Sequence, residues 1–276
     1  MSMNSFHARQ KKPRPALPPA HERPAGMSRA DALLVAQGLA SSRTAAQWLI
    51  REGRVAWAGG AIAKPALELP HETPLTVAAD PGAHYVSRGG HKLAGALVVS
   101  GIDPAGKSCL DVGQSTGGFT DCLLQNGAKR IVGVDVGHDQ LAPQLRAGPA
   151  VTAIEGINCR SLTAADLGDA LPAGGFDLIV GDVSFISLTL ILPQLPPLLA
   201  AHGDLLLLVK PQFEVGAGNV GKGGIVRDTT LHREVERKLC QCGASLGLTV
   251  RAWFASPING GDGNREFFIH AVKGET

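Results

Sequence analysis

Four charged residues of this 276-residue chain stand where a sheet would bring them to one mouth. Lys92 lies in YVSRGGHKL just before the first strand pattern of a long alternating region, and Asp182 ends the fourth strand pattern in GDVSF. Lys210 ends the fifth in LLLLVKPQFE, and Glu266 opens the last in GNREFF. A lysine in a largely apolar, partly desolvated site can have its pKa lowered toward neutrality and so act as a base or orient a hydroxyl. Each residue alone has an ordinary structural reading: Lys210 as a snorkelling strand end, Asp182 as a helix cap for SFISL, Lys92 and Glu266 as surface charges. Four such groups near one another would couple their titrations, so none would titrate with a value of its own.

A second constellation follows the first of those strands. The run Asp111-Val112-Gly113-Gln114-Ser115-Thr116-Gly117-Gly118-Phe119 leads from strand into the helix pattern TDCLLQNGA, and Asp135 closes the second strand 24 residues after Asp111. A glycine-rich turn at a strand's carboxyl end lets the backbone approach a ligand, and an acid ending the next strand can take both hydroxyls of a ribose. Gly113, Gly117 and Gly118 do not make the G-x-G-x-x-G that seats a pyrophosphate. D-x-G-x-x-x-G-G-F instead resembles the first motif of class I methyltransferases, which implies S-adenosyl-L-methionine as cofactor, with Asp111 anchoring its amino-acid end through a water or backbone contact. Gly113, Ser115, Thr116, Gly117, Gly118 and Phe119 would form the binding loop. Asn158, after the third strand, is either a polar contact for adenine or a simple loop residue.

The elements that must hold these residues are legible as alternating patterns. Strands are expected over 108–112, 130–136, 150–155, 176–183, 204–210, 248–255 and 266–272, several as continuous apolar runs of the kind buried between helices. Seven strands with intervening helices predict an α/β, doubly wound, mostly parallel sheet. In front of it, residues 28–77 read as a small α+β module. Ser28 is expected to cap a helix carrying Ala32, Leu33 and Ala36 and stopped by Gly38. Ser41-Ser42 would open a second helix that ends at Gly53, and short strands are expected at 54–57, 61–64 and 75–77. Arg43, Gln47, Arg51 and Arg54 recur at intervals of three or four, predicting one polar, positive face.

Charge divides along the same lines. Residues 1–25, Pro-rich and without apolar periodicity, carry net +4, residues 26–78 carry +1 and residues 79–276 carry −3. The first segment reads as a disordered basic arm, and a basic front on an acidic body suggests that the front meets a polyanion while the rest does chemistry. No apolar run approaches the length of a membrane span, and the N-terminus has no signal-peptide core. Five cysteines without zinc spacing point away from a disulfide framework or metal site and toward a cytoplasmic protein.

Resemblance sharpens these readings. The string RADALLVAQGLASSRTAAQWLIREGRVAWAGGAIAKPALEL resembles the alpha-L, S-four-type RNA-binding motif, which implies phosphate contacts for Arg43, Gln47, Arg51, Arg54 and Lys64. Lys92, Asp182, Lys210 and Glu266 match, in order and context, the Lys-Asp-Lys-Glu tetrad of the FtsJ-like ribose 2′-O-methyltransferases. With YVSRGGHKL, DVGxSTGGFTDCLLQ, GVDVGxxQL, DVSFISL, LVKPQFE, VGKGGIVRD and SPxxGxxGNxEF, the chain from about residue 28 to 272 resembles the TlyA family, once labelled hemolysin A. The resemblance implies methyl transfer from S-adenosylmethionine to a cytidine ribose in ribosomal RNA. Lys210 would act as base, Asp182 would position Lys210 and the methyl, and Lys92 and Glu266 would hold the hydroxyl and one another. The implied domains are the arm over 1–25, an RNA-binding domain over 26–78, a junction carrying Lys92 over 79–104 and a methyltransferase domain over 105–276. Gln114 stands where alanine is common, with a side chain expected to point away from the cofactor. Alternatives are a methyltransferase for another RNA or a base, an assembly factor with a dead site, and a pore-forming haemolysin, which would need a membrane segment that the sequence does not offer.

Overall fold

The computed structural model describes residues 26–40, 43–51, 53–78, 84–261 and 263–274. The arm over 1–25, Ser41-Ser42 and the Asp80-Pro81-Gly82 segment lie outside the described residues. The chain divides into two compact units at Thr76/Val77.

In the smaller unit, β1 (Met27–Arg29) leads directly into α1 (Ala30–Ala36), followed by α2 (Arg43–Arg51), β2 (Val55–Trp57), β3 (Gly60–Ala61), β4 (Glu68–Pro70) and β5 (Thr76–Val77). Strand β1 pairs antiparallel with β4, and β3, β2 and β5 form a second small sheet. Ser28 is therefore not the cap of α1: it lies opposite Leu69 in the β1–β4 pair, and Arg29 takes the cap position without a side-chain cap bond. Helix α1 packs on α2, and Leu33, Leu34, Ala46, Leu49, Ile50, Val55, Ile62 and Leu69 are buried. Gly53, at φ +69°, turns the chain out of α2, which a residue with a Cβ would do only under strain.

The larger unit contains α3 (Gly89–Ser100), β6 (Ser108–Val112), α4 (Gly118–Gln125), β7 (Arg130–Asp135), α5 (Pro143–Arg146), β8 (Val151–Glu155) and α6 (Ala164–Leu167). It continues with β9 (Phe176–Gly181), β10 (Leu199–Val209), α7 (Thr229–Ser245), β11 (Leu248–Ala255) and β12 (Phe267–Lys273). The strands form one seven-stranded sheet in the order β11-β12-β10-β9-β6-β7-β8. All neighbours from β10 to β8 are parallel, whereas β12 runs antiparallel to both β10 and β11.

Strand β10 explains the burial of the sheet. Leu205, Leu207 and Val209 enter one core with Val235 and Leu239 of α7, while Leu206 and Leu208 enter the other with Leu93 of α3 and Phe119 of α4. A period of two with apolar residues in both phases is what a strand needs when both faces are covered. The strand emerges from that double burial at Lys210.

The turns at the carboxyl ends of β9 and β10 are tied by Glu214. Its buried carboxylate accepts from the Leu188 amide at 2.6 Å, the Ser187 hydroxyl at 2.6 Å and Lys238 Nζ of α7 at 2.9 Å. Glu214→Ala should strand the buried Leu188 N–H, while Lys238 keeps the residue-214 carbonyl and the Ser187 hydroxyl as acceptors, costing about 1–3 kcal/mol. Lys238, with a side chain 41% exposed, should cost about 1 kcal/mol or less on change to Ala. Urea unfolding of both variants checks the inequality, and equal losses would contradict this account of the tie.

Candidate active site

The backbone builds the glycine loop first. Gly113 (φ +82°) and Gly117 (φ +93°) take left-handed conformations, and the amides of Gly113 and Gln114 both donate to the Val134 carbonyl of the adjacent strand. A Cβ on Gly113 would meet Val183 at 2.9 Å and the Asp182 carbonyl at 3.0 Å; one on Gly118 would meet Ser87 Oγ at 2.1 Å. These two glycines let the loop lie against the Asp182 turn and the start of α4 against the segment entering α3. The resulting cavity, about 170 Å³, is lined by residues of the loop together with Asp182, Ser184 and Lys210.

Two ion pairs lie in this region, and Lys210 and Asp182 of one of them line the cavity. Lys210 Nζ sits 2.5 Å from Asp182 Oδ1 and donates to Ser184 Oγ at 2.7 Å. Lys92, on the first turns of α3, sits 2.6 Å from Glu266 Oε2, with side chains only 9% and 3% exposed. The pairs feel one another. Burial pushes the Asp182 carboxyl up, but the charges of Lys210 and Lys92 together hold it below its ordinary value. At Glu266 burial prevails and the carboxyl is raised, with Lys92 and then Lys210 opposing. The four residues expected to converge therefore form one electrostatic cluster.

The other expected cofactor residues divide. Asp135 is held at the loop: Oδ2 accepts from the Ser115 amide at 2.8 Å and Oδ1 from the Gly137 amide at 2.7 Å, each oxygen keeping a second acceptor position. Asp111 is fully buried, with Oδ2 accepting from Thr120 Oγ1 at 2.7 Å and Oδ1 without a hydrogen-bond partner. Burial raises its carboxyl to about 7, with the Thr120 hydrogen bond opposing. Ser115 and Thr116 line the cavity beside Gly113 and Gly118. The ring of Phe119 stacks on Phe268, 6.3 Å away in the core, so its residue borders the cavity while its side chain serves packing. Asn158 caps the 3₁₀ turn Cys159–Ser161, accepting from the Arg160 amide, which favours its simpler loop reading.

The Gln114 side chain, expected to point away from the cofactor, turns toward the neighbouring strand and takes part in a hydrogen-bond chain. It is buried against Gly133, where a Cβ would lie 2.0 Å from its amide group, and Nε2 donates to Thr120 Oγ1 at 2.9 Å. A hydroxyl that accepts from Gln114 must direct its own proton to Asp111, so the chain Gln114–Thr120–Asp111 is polarised toward the carboxylate. Ser87, Ser184 and Phe185 were also not singled out from the sequence, although all lie inside quoted motifs. Phe185 is 90% exposed at φ +64°, strained for an aromatic residue, with its ring 5.1 Å from that of Phe213.

In the smaller unit the expected cationic face is built differently. Arg43 Nη2 lies 3.2 Å from both carboxylate oxygens of Asp31, and Gln47 Nε2 donates to Asp31 at 2.8 Å. Arg54 is not on the helix: it follows Gly53, with its amide bonded to the Leu49 carbonyl. Lys64 is exposed in the turn before β4, and the side chain of Arg51 lies outside the described residues. Arg29, missed in the sequence, joins the group through a two-bond fork to Asp31.

The unpartnered Asp111 Oδ1, the Asp135 carboxylate and a loop with no room for a Cβ at Gly113 or Gly118 suit a nucleoside cofactor with a cationic amino-acid end. Similarity to known proteins agrees. The model of the FtsJ-like methyltransferase family matches residues 85–273. The 16S/23S rRNA (cytidine-2′-O)-methyltransferase TlyA of Mycobacterium tuberculosis is 45% identical over 242 residues, 88% of each chain. Hemolysin A of Brachyspira hyodysenteriae is 38% identical over 249 residues, 88% of this chain and 99% of that one. A solved structure from Streptococcus thermophilus, provisionally named a hemolysin, superposes with a TM-score of 0.70 at 38% identity, covering 91% of this chain and 90% of the other. Among the described residues no helix is long and apolar enough to cross a membrane. With its glycine loop, its paired lysines and carboxylates and this breadth of identity, the chain belongs to the FtsJ-like methyltransferase family.

Proposed function

We propose that this protein transfers a methyl group from S-adenosylmethionine to the 2′-hydroxyl of a cytidine ribose in ribosomal RNA, acting in the cytoplasm. The observation that carries the reading is the pairing of Lys210 with Asp182 in the lining of the cavity that the glycine loop also lines, with the Lys92–Glu266 pair coupled to it by charge. A base-modifying enzyme has less need of a desolvated lysine held beside the transferring group, because a ribose hydroxyl is the poorer nucleophile.

When bound, the cofactor supplies an electrophilic methyl. Asp111 and the loop from Gly113 to Gly118 would hold its amino-acid end and Asp135 its ribose. Lys210 Nζ, positioned by Asp182 and Ser184, would first release its ammonium proton to solvent and then take the proton of the hydroxyl as the hydroxyl oxygen gains the methyl. Glu266 holds Lys92 so that its ammonium orients the same hydroxyl, and alignment supplies much of the acceleration. Phe185 offers an exposed ring beside Ser184 on which a base turned out of its stack can rest.

The direct test is mapping of labelled methyl on ribosomal RNA by mass spectrometry after incubation with protein and cofactor; ribose-methylated cytidine is expected, and a methylated base would overturn the reading. Lys210→Ala should lower turnover at least 10²-fold, with cofactor affinity within about twofold, and Arg should not rescue it because it holds its proton. Retention of a tenth of the rate would exclude Lys210 as the base.

Two further outcomes follow from the geometry. Phe185→Ala should cost about 1–3 kcal/mol in kcat/KM for RNA and leave cofactor affinity unchanged, as read by steady-state kinetics and calorimetry. Because the Asp111 carboxyl is raised to about 7, and a cationic ligand favours its ionised form, cofactor affinity should improve roughly tenfold from pH 6 to pH 8. Asp111→Asn should flatten that dependence. In the free protein the sign reverses: a raised carboxyl stabilises the fold fully below its ordinary 3.8, and that contribution is lost as pH rises through about 7.

A further inference from the structure

Asp31 is a buried acid in the unit proposed to bind a polyanion. Its side chain is 0% exposed, yet it sits on the first turn of α1 among the residues that make the unit positive. Five hydrogen bonds reach its two oxygens: Arg29 Nε at 3.0 Å and Nη2 at 2.8 Å, Arg43 Nη2 at 3.2 Å to each oxygen, and Gln47 Nε2 at 2.8 Å. These are more contacts than the carboxylate has lone pairs, so the acceptor is saturated. The Arg29 hydrogen bonds foremost, aided by Gln47 and Arg43, hold the carboxyl well below the usual carboxylate range despite its burial, and it remains ionised.

The two arginines are not consumed by this arrangement. Arg29 is 31% and Arg43 58% exposed. Arg43 reaches Asp31 through Nη2 alone, and Arg29 through Nε and Nη2. Both guanidinium groups are therefore oriented by Asp31 while still partly open to solvent, on a net positive cluster. A flexible arginine loses rotamer freedom when it grips a phosphate, whereas one already held by a carboxylate does not.

We propose that Asp31 is a positioning residue for RNA recognition, a buried carboxylate that pre-orients Arg29 and Arg43 as a fixed pair of phosphate donors. The proposal rests on the reading that this unit binds RNA. It predicts a sign opposite to simple electrostatics: deleting a negative charge from an RNA-binding face should tighten binding by Coulomb attraction alone, but Asp31→Asn should weaken it.

The experiment compares full-length wild type, Asp31→Asn and Arg43→Ala for binding to deproteinised, unmethylated ribosomal RNA by filter retention between 50 and 200 mM KCl, together with methylation kinetics. Asp31→Asn is expected to weaken RNA binding about tenfold, to flatten the salt slope, and to raise KM for RNA with kcat little changed. Unchanged or tighter binding by Asp31→Asn, with Arg43→Ala weakened, would overturn the positioning role and leave the RNA reading intact. Unchanged binding by Arg43→Ala would overturn the RNA reading of this face itself. If circular dichroism shows that Asp31→Asn unfolds the smaller unit, Gln47→Ala carries the test. It removes one donor to Asp31 and no charge, so weaker binding with a flatter salt slope upholds the proposal, and an unchanged slope overturns it.

Discussion

A lysine that must work out of water can be kept there only beside a carboxylate that is buried with it. Lys210 and Lys92 are 11% and 9% exposed, and each has its own acid within 2.6 Å. Removing one partner from such a pair leaves an uncompensated charge, a cost of about 3–5 kcal/mol. The larger unit is arranged around meeting that requirement twice in one place. The carboxyl ends of β9 and β10 deliver Asp182 and Lys210, α3 delivers Lys92 and the entry to β12 delivers Glu266. Parallel pairing of β9 with β10 makes their ends adjacent, and antiparallel insertion of β12 makes its beginning lie where the parallel strands finish.

The same logic separates stable surroundings from reactive groups. Glu214 and Lys238 tie together the turns after β9 and β10 and are not among the residues that line the cavity. Gly118 admits Ser87 where a side chain would exclude it. In the smaller unit Asp31 has an equivalent place, buried beneath the residues whose positions it fixes.

Much of this was legible in the sequence because burial leaves a pattern. Five consecutive apolar residues before Lys210 and the apolar runs of β6, β7 and β9 announced a sheet covered on both faces, and the four charged residues stood at its strand ends. What the sequence concealed is mostly contact at a distance. Ser28 looks like a helix cap until Leu69, 41 residues away, pairs with it. Gln114 is expected to point away from the cofactor, but that Gly133 of the next strand makes room for its amide appears only in the fold. Arg43 and Gln47 fall on one helix face as their spacing required, but Asp31, in another helix, decides which way they point. Arg54 failed for a local reason, since Gly53 ends the helix before it.

Lys92 and Glu266 are 174 positions apart, and β12 lies between β10 and β11 in the sheet. Synthesis proceeds from the N-terminus, so β10 and β11 emerge from the ribosome before the strand that joins them exists, each presenting an open edge. Lys92 waits for its counter-ion over the same interval. A nascent chain stalled between β11 and β12 thus has its loop, Asp182 and Lys210 but lacks the strand that joins β10 to β11. The central part of the sheet and the second ion pair are completed only when β12 joins, and in the interval before it the open edges of β10 and β11 are most exposed to wrong pairing.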